Sequence, residues 1–262
     1  LPSPLDCPVM PATGRCRLFF IGPLSHSEKG YIKISNKIRS IVRIACQTPY
    51  QTMKTRDRIL HVSLLLFNEE GEAQQTAVDI SNALDISPGN LYYHFKGKDA
   101  IIHALFDRFE NEMRIILSGS RGRITSLEDS WVYLYIILEE IYDFRFFYRD
   151  LGLLLDRYPD LAKRFRSILS RMRTALVGVL DELTAGSVLR LDPRLREVLT
   201  DQFMTTLTFW LAEDHLNADS HDGPTLIHRT VLQVMCLLPP YMGDRGVETL
   251  TDLFEHYDTV VA

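Results

Sequence analysis

From residue 53 onward, apolar side chains recur every three or four positions, the spacing that lines one face of an α-helix. Ile59, Val62, Leu66 and Phe67 open the pattern, Val78, Ile80 and Leu84 continue it, and Ile101, Ile102, Leu105, Phe106 and Phe109 carry it on. Leu161, Phe165, Ile168, Met172, Ala175, Leu176, Val179 and Leu183 hold the period for about six turns, with Lys163, Arg164, Arg166 and Arg171 between them. That stretch predicts one long helix. Two more are expected, over 193–216 and about 225–238. Asp192 caps the first, with Pro193 in its first turn, and Pro239-Pro240 stops the second. A last helix is expected over 247–261. No run of alternating β-branched residues is bounded by turns, so the pattern predicts an all-α protein.

Composition narrows the class. A chain of 262 residues, 46% hydrophobic and 24% charged, can bury a sizeable core. No stretch approaches the roughly 20 consecutive apolar residues of a membrane span. The apolar run 18–21 stops at Gly22-Pro23, too short for a secretory leader, and the expectation is a cytoplasmic protein without membrane contact. Cys7, Cys16, Cys46 and Cys236 have neither CxxC spacing nor a nearby histidine pair, so no metal, disulfide framework or cofactor is expected. The eight histidines include no HxH or HxxxH pair, and no GxSxG, HExxH or GxxxxGK[ST] string occurs, which speaks against an enzyme.

Charge and proline divide the chain. The net charge of −5 resolves into +5 over residues 1–52 and −10 over 53–262, and the first segment also holds three of the four cysteines and six of the twelve prolines. With Leu at position 1 and Met53 opening the helical pattern, 1–52 reads as a non-native or disordered extension upstream of the true start. The alternative is a basic arm that touches DNA, because Ile34, Ile38, Ile41 and Ala45 have helical spacing with Lys and Arg between. The expected domains are 53–99, which binds DNA, and 100–262.

Chemistry concentrates in residues 76–99. Thr76, with Asp79 three residues on, is a helix cap for a segment carrying Val78, Ile80, Ala83 and Leu84. Asp85-Ile86 forms the turn, Ser87 caps the next helix, and Pro88 stands at its first position, where a missing N–H does no harm. Only Leu91 and Phe95 on that helix are spaced to face a core, which leaves Asn90, Tyr92, Tyr93 and His94 outside. Of these, Tyr93 is the one expected to pack elsewhere. Such a helix in a major groove would offer its side chains and free N–H groups to DNA. Residues 53–99 nevertheless sum to −2, with Lys54, Arg56, Arg58, Lys96 and Lys98 outweighed by acids, of which Glu69, Glu70 and Glu72 are expected in the turn after the first helix, away from DNA.

The string Ser87-Pro88-Gly89-Asn90-Leu91-Tyr92-Tyr93-His94-Phe95-Lys96-Gly97-Lys98-Asp99 resembles the recognition-helix signature of TetR-family regulators, and within them the opening Met53-Lys54-Thr55-Arg56-Asp57-Arg58-Ile59-Leu60 together with 86–95 resembles the PhaD-type regulators of polyhydroxyalkanoate gene clusters. The resemblance covers 53–115 by motif and 116–262 by helix count and length. It implies a three-helix helix-turn-helix domain followed by a helical ligand-binding and dimerisation domain. It further implies that Pro88 and Gly89 approach base edges, while Thr76, Ser87, Asn90, Tyr92, Tyr93, His94 and Lys98 complete the DNA-binding set. No Lys or Arg stands at Pro88, so bidentate reading of guanine from there is not expected.

For the larger domain, the stripes Leu195, Leu199, Phe203, Leu207, Trp210 and Val231, Val234, Met235, Leu238 suggest more apolar face than one core uses, which a second copy would bury, and the resemblance implies a homodimer through a twofold four-helix interface at about 193–216 and 225–240. A twofold dimer sets its recognition helices about 34 Å apart and implies a near-palindromic operator in double-stranded DNA. The small apolar effector, acyl-CoA-like by the resemblance, is expected among Tyr133, Ile137, Tyr142, Phe146, Phe147, Arg149, Met172, Phe203 and Trp210, with Met204 and Phe209 as further walls and few buried acids. The competing reading is a helical ligand-binding or adaptor protein that no longer binds DNA, which a gel shift with the chain's own upstream DNA separates.

Overall fold

The computed structural model describes residues 54–120, 124–216 and 222–261, and the expected extension 1–52 lies outside them. Among the described residues every regular element is helical: α1 (Thr55–Glu70), α2 (Ala77–Ala83), α3 (Pro88–His94), α4 (Lys98–Ser118), α5 (Leu127–Asp143), α6 (Phe146–Arg149), α7 (Leu151–Arg157), α8 (Pro159–Ala185), α9 (Pro193–Leu216), α10 (Gly223–Met235) and α11 (Asp244–Val261). The only extended pairing among them is an isolated antiparallel bridge, Leu189 to Met242. The described residues fall into two units, 54–105 and 106–261, so the division lies inside α4, six residues beyond the expected boundary at 99/100. A continuous helix leaves no composition break to mark it.

In the first unit, Ile59, Leu60 and Phe67 of α1, Ile80 of α2, Leu91 of α3 and Ile101, Ile102 and Leu105 of α4 are buried to 1% exposure or less. α1 stops at Gly71, whose φ of +87° suits a residue without Cβ, and whose N–H donates to Phe67 O at 3.1 Å. Glu69 and Glu70 are therefore the last residues of α1 rather than part of a turn, and Glu72 opens the short 3₁₀ segment Glu72–Gln74.

The second unit is built on aromatic packing. Phe106 and Phe109 of α4 meet Phe147 with ring centroids 5.3 and 5.9 Å away, Phe144 lies 5.5 Å from Phe109, and Tyr148 sits edge-on to Phe165 of α8 at 5.2 Å. Edge-to-face and offset pairs of this kind add to area burial because ring edges are positive and faces negative. α5 packs on α10 and α11, and α9 on α6, α8 and α10. Gly223, at the start of α10, lies so close to Tyr142 that a Cβ would fall 2.5 Å from its ring. Asp192 caps α9, accepting from the N–H groups of Arg194 and Leu195 at 2.8 and 2.9 Å.

Two sequence expectations change here. Leu199, Phe203, Leu207, Trp210, Val231, Val234, Met235 and Leu238 are all buried at 4% exposure or less within one chain, so the chain's own core uses these positions, and Leu195 alone of the two stripes is half-buried. α9 is apolar on more than that face: Val198 is 50% and Phe209 55% exposed, which removes Phe209 from the interior walls.

Phe109 makes five ring contacts, three of which (to Phe147, Tyr148 and Phe165) join α4 to α6 and α8, and is fully buried. Phe109→Ala is expected to lower unfolding stability by about 3–5 kcal/mol, read as a fall in the urea midpoint.

Candidate nucleic-acid interface

α2 and α3 are seven residues each, too short to persist alone in water, and both are fixed at their N-termini by side-chain caps. Thr76 Oγ1 accepts from Asp79 N at 3.2 Å, while the Asp79 carboxylate accepts from Thr76 N at 2.8 Å and Thr76 Oγ1 at 2.6 Å. This is a capping box built with Asp in place of Glu or Gln. Asp85 then takes φ +53°, a left-handed turn residue of the kind Asp tolerates, and Ser87 Oγ accepts from Asn90 N at 3.1 Å to start α3.

The sequence reading of α3 holds side chain by side chain. Leu91 and Phe95 are buried, at 1% and 4% exposure, and Pro88 occupies the first turn. Pro88, Gly89, Asn90 and Tyr92 are exposed and His94 is half-buried. Tyr93, expected to pack elsewhere, is instead the most open of the exposed large apolar residues at 79%, and its ring meets His94 edge-on at 5.1 Å. The reason is register: Leu91 and Phe95, four apart, occupy the inward face, and Tyr93 lies midway between them on the opposite side.

Two members of the expected set are engaged within the protein. Thr76 commits its hydroxyl proton to Asp79. Lys98 points its ammonium at the Glu72 carboxylate, 2.8 Å away, and donates to the Glu72 carbonyl at 3.0 Å, with its side chain 21% exposed. Arg56 and Lys96, basic residues at the chain entry and just after α3 but outside the expected contact set, are exposed. The Arg56 guanidinium lies 4.8 Å above the Phe95 ring and the Lys96 ammonium 4.5 Å above the Tyr92 ring. The Lys96–Tyr92 pair was open to detection as an i, i+4 contact, whereas Arg56 and Phe95 are 39 positions apart and only folding joins them.

The expected ligand residues are mostly interior. Ile137, Phe147 and Met172 are fully buried, Tyr133, Phe146, Phe203 and Trp210 nearly so, and Tyr142 and Arg149 half-buried. Phe146 and Phe147 join the aromatic core, and the Tyr142 and Trp210 ring centroids lie 6.4 Å apart. A cleft of about 10 Å³, the space of one water, is lined by Trp210, Glu213, Asp214, Leu226, Arg229, Thr230 and Gln233, of which only Trp210 was expected. Burial pushes the Tyr133 phenol up to about 12, partly offset by the Ser120 hydroxyl. Glu140 is 1% exposed, and burial, with the Glu140 charge second, raises the Tyr148 phenol, so the aromatic interior does contain an acid. Among the described residues no group of His, Cys, Asp and Glu is arranged to hold a metal ion, and no helix is long and apolar enough to cross a membrane.

A capped two-helix turn with an exposed polar and aromatic recognition face defines a helix-turn-helix DNA-binding protein. The family model described as bacterial regulatory proteins, tetR family, matches residues 59–105, and the TetR model described as bacterial transcriptional repressor matches 108–250. The chain is 34% identical to a TetR-family transcriptional regulator from Marinobacter aquaeolei VT8, whose structure aligns with a TM-score of 0.71 over 78% of this chain and 99% of that one. A regulator of the TerR/AcrR family from Aquifex aeolicus VF5 shares the fold at 19% identity, with a TM-score of 0.52 over 71% and 100% of the two chains. The repressor KstR2 of Mycolicibacterium smegmatis is 32% identical over 33% of this chain and 39% of its own length, and the Bacillus subtilis regulator YvdT 29% identical over 36% and 47%. The chain thus spans less than half the length of these curated relatives. It belongs to the TetR family of transcriptional regulators, which are not enzymes.

Asp79 carries the pH dependence of the capping box. The Thr76 hydroxyl first, and the Thr76 N–H second, hold its carboxyl below the usual 3.8. A depressed folded value means the contribution is complete above pH 3.8 and is lost as pH falls through the lower folded value. The melting-temperature gap between wild type and Asp79→Asn is therefore expected to be widest near neutrality and to close in acid, as followed by circular dichroism.

Proposed function

We propose that the chain binds a near-palindromic operator as a homodimer, seating α3 of each copy in the major groove, and that a small apolar ligand in the second unit alters this binding. The observation that carries the reading is the face of α3: Asn90, Tyr92 and Tyr93 are exposed on a helix whose two apolar anchors are buried. Exposed aromatic rings cost solvation, and a helix that presents two of them beside the exposed cap residue Ser87 is suited to sugar and phosphate contact. Pro88 and Gly89 keep the N-terminal turn slim enough to approach base edges. Tyr92→Ala combined with His94→Ala is expected to weaken operator and mixed-sequence DNA alike while leaving the helical circular dichroism unchanged. Wild-type affinity in this variant would remove α3 from the interface.

The dimer is assigned to the outward stripe of α9. Val198, Gln202, Thr205 and Phe209 recur at four, three and four positions, and all are exposed. A twofold pairing there would cover the two apolar members. Val198→Asp with Phe209→Asp is expected to convert the dimer to a monomer by sedimentation, with thermal unfolding of the monomer retained.

For the ligand we infer an acyl chain, acyl-CoA-like in class, and for the chain a PhaD-type role, resting on the strings at 53–60 and 86–95. The aromatic and methionine-bearing interior of the second unit suits an apolar tail. The Tyr148 hydroxyl and Trp210 Nε1 are buried there without a hydrogen-bond partner, polar groups that a ligand could satisfy. Buried Glu140 disfavours an anionic head at its side of the core, so the tail and not the head enters.

A further inference from the structure

We propose that Arg56 and Lys96 are the phosphate-holding cations of the interface, each fixed in place by an aromatic ring at the recognition helix, and that Lys98 is a positioning residue that does not touch DNA. The inference rests on the DNA-binding reading above. Residues 53–99 carry a net −2, so the field at the interface depends on which few cations face outward and how firmly they are held.

The three candidates differ in what surrounds them. Lys98 is drawn inward onto both the carboxylate and the carbonyl of Glu72, which ties the start of α4 to the 3₁₀ segment before α2. Releasing it to a phosphate would leave the Glu72 side chain, 10% exposed, with a charge and no Lys98 to neutralise it. Gly97, at φ +99°, lets the chain turn so that α4 starts in this position. Arg56 and Lys96, by contrast, are exposed, and among the described residues neither pairs with a carboxylate. Their contacts are with ring faces: the guanidinium over Phe95, and the ammonium over Tyr92.

A ring face holds a cation without using its hydrogens. The Arg56 guanidinium, held over the Phe95 ring through its charge, keeps its N–H donors for other partners, and the Lys96 ammonium keeps donors directed away from Tyr92. Stacking also confines two of the most flexible side chains before DNA arrives, so less rotamer freedom is lost when a phosphate is bound. Both rings belong to the end of the recognition helix, Phe95 buried and Tyr92 exposed, so both cations are held at that end. The same aromatic residues thus anchor the helix and aim its charges.

Salt dependence separates a phosphate contact from a strut, because each phosphate neutralised releases counterions and steepens the fall of affinity with salt. Binding of the full chain to mixed-sequence duplex DNA would be titrated across ionic strength for wild type, Arg56→Gln, Lys96→Gln and Lys98→Met. The slope of log affinity against log salt is expected to shrink by about 0.9 per copy bound for Arg56→Gln and for Lys96→Gln. Arg56→Lys, which keeps the charge, should restore the slope. Tyr92→Leu should reduce it as Lys96→Gln does, and Tyr92→Phe should not. Lys98→Met is expected to lower the melting temperature and keep the wild-type slope. A wild-type slope in both Arg56→Gln and Lys96→Gln, or a loss of slope in Lys98→Met equal to theirs, overturns the proposal while DNA binding stands. A wild-type chain with no affinity for duplex DNA at any salt overturns the DNA-binding reading and the proposal together.

Discussion

A helix of seven residues has too few internal hydrogen bonds to offset the order it imposes on its backbone, so α3 exists only because something outside it holds it. Leu91 and Phe95 do this from one side, and the Ser87 cap from its end. The whole outward surface of α3 follows from that constraint. With the inward face confined to two residues, the other side chains are exposed except the half-buried His94, and the exposed density of Asn90, Tyr92 and Tyr93 is a geometric consequence of how little of the helix the core requires.

Phe95 connects this anchoring to charge. Its ring is buried against the first unit and yet supports the Arg56 guanidinium on one face, so a core residue and an interface residue share one contact. The acids of the unit are handled in a complementary way. Asp79 is held in the capping box and Glu72 is matched by Lys98, which leaves two fewer bare carboxylates in a unit whose net charge is negative. Local pairing thereby reconciles an acidic composition with a polyanionic partner.

α4 is common to both halves of the molecule. Ile101, Ile102 and Leu105 belong to the first core, while Phe106, Phe109 and Met113 belong to the second, within one uninterrupted helix. Each turn of a helix is bonded to the next, so one element supplies apolar faces to both cores.

Local chemistry made much of this legible in advance. The caps at Thr76, Ser87 and Asp192, the first-turn Pro88 and the long stripe from Leu161 to Leu183 depend on neighbours within four residues, and the structure reproduces each. The inward assignment of Leu91 and Phe95 is of the same kind, since helical period alone fixes it. What the tertiary structure decided involves partners far apart in the chain. The stripes of α9 and α10 read as surplus for a second copy because a one-dimensional pattern counts apolar positions without knowing how many neighbours will cover them, and α5, α6 and α8 cover them. Glu140 is 1% exposed while the adjacent Glu139 is half-buried, a difference that their sequence neighbours could not reveal. Lys98 and Arg56 are both basic residues beside a recognition helix, and nothing in their local sequence distinguishes them. One meets Glu72, 26 positions away, and the other Phe95, 39 positions away, because chain folding brings a carboxylate to the first and a ring face to the second.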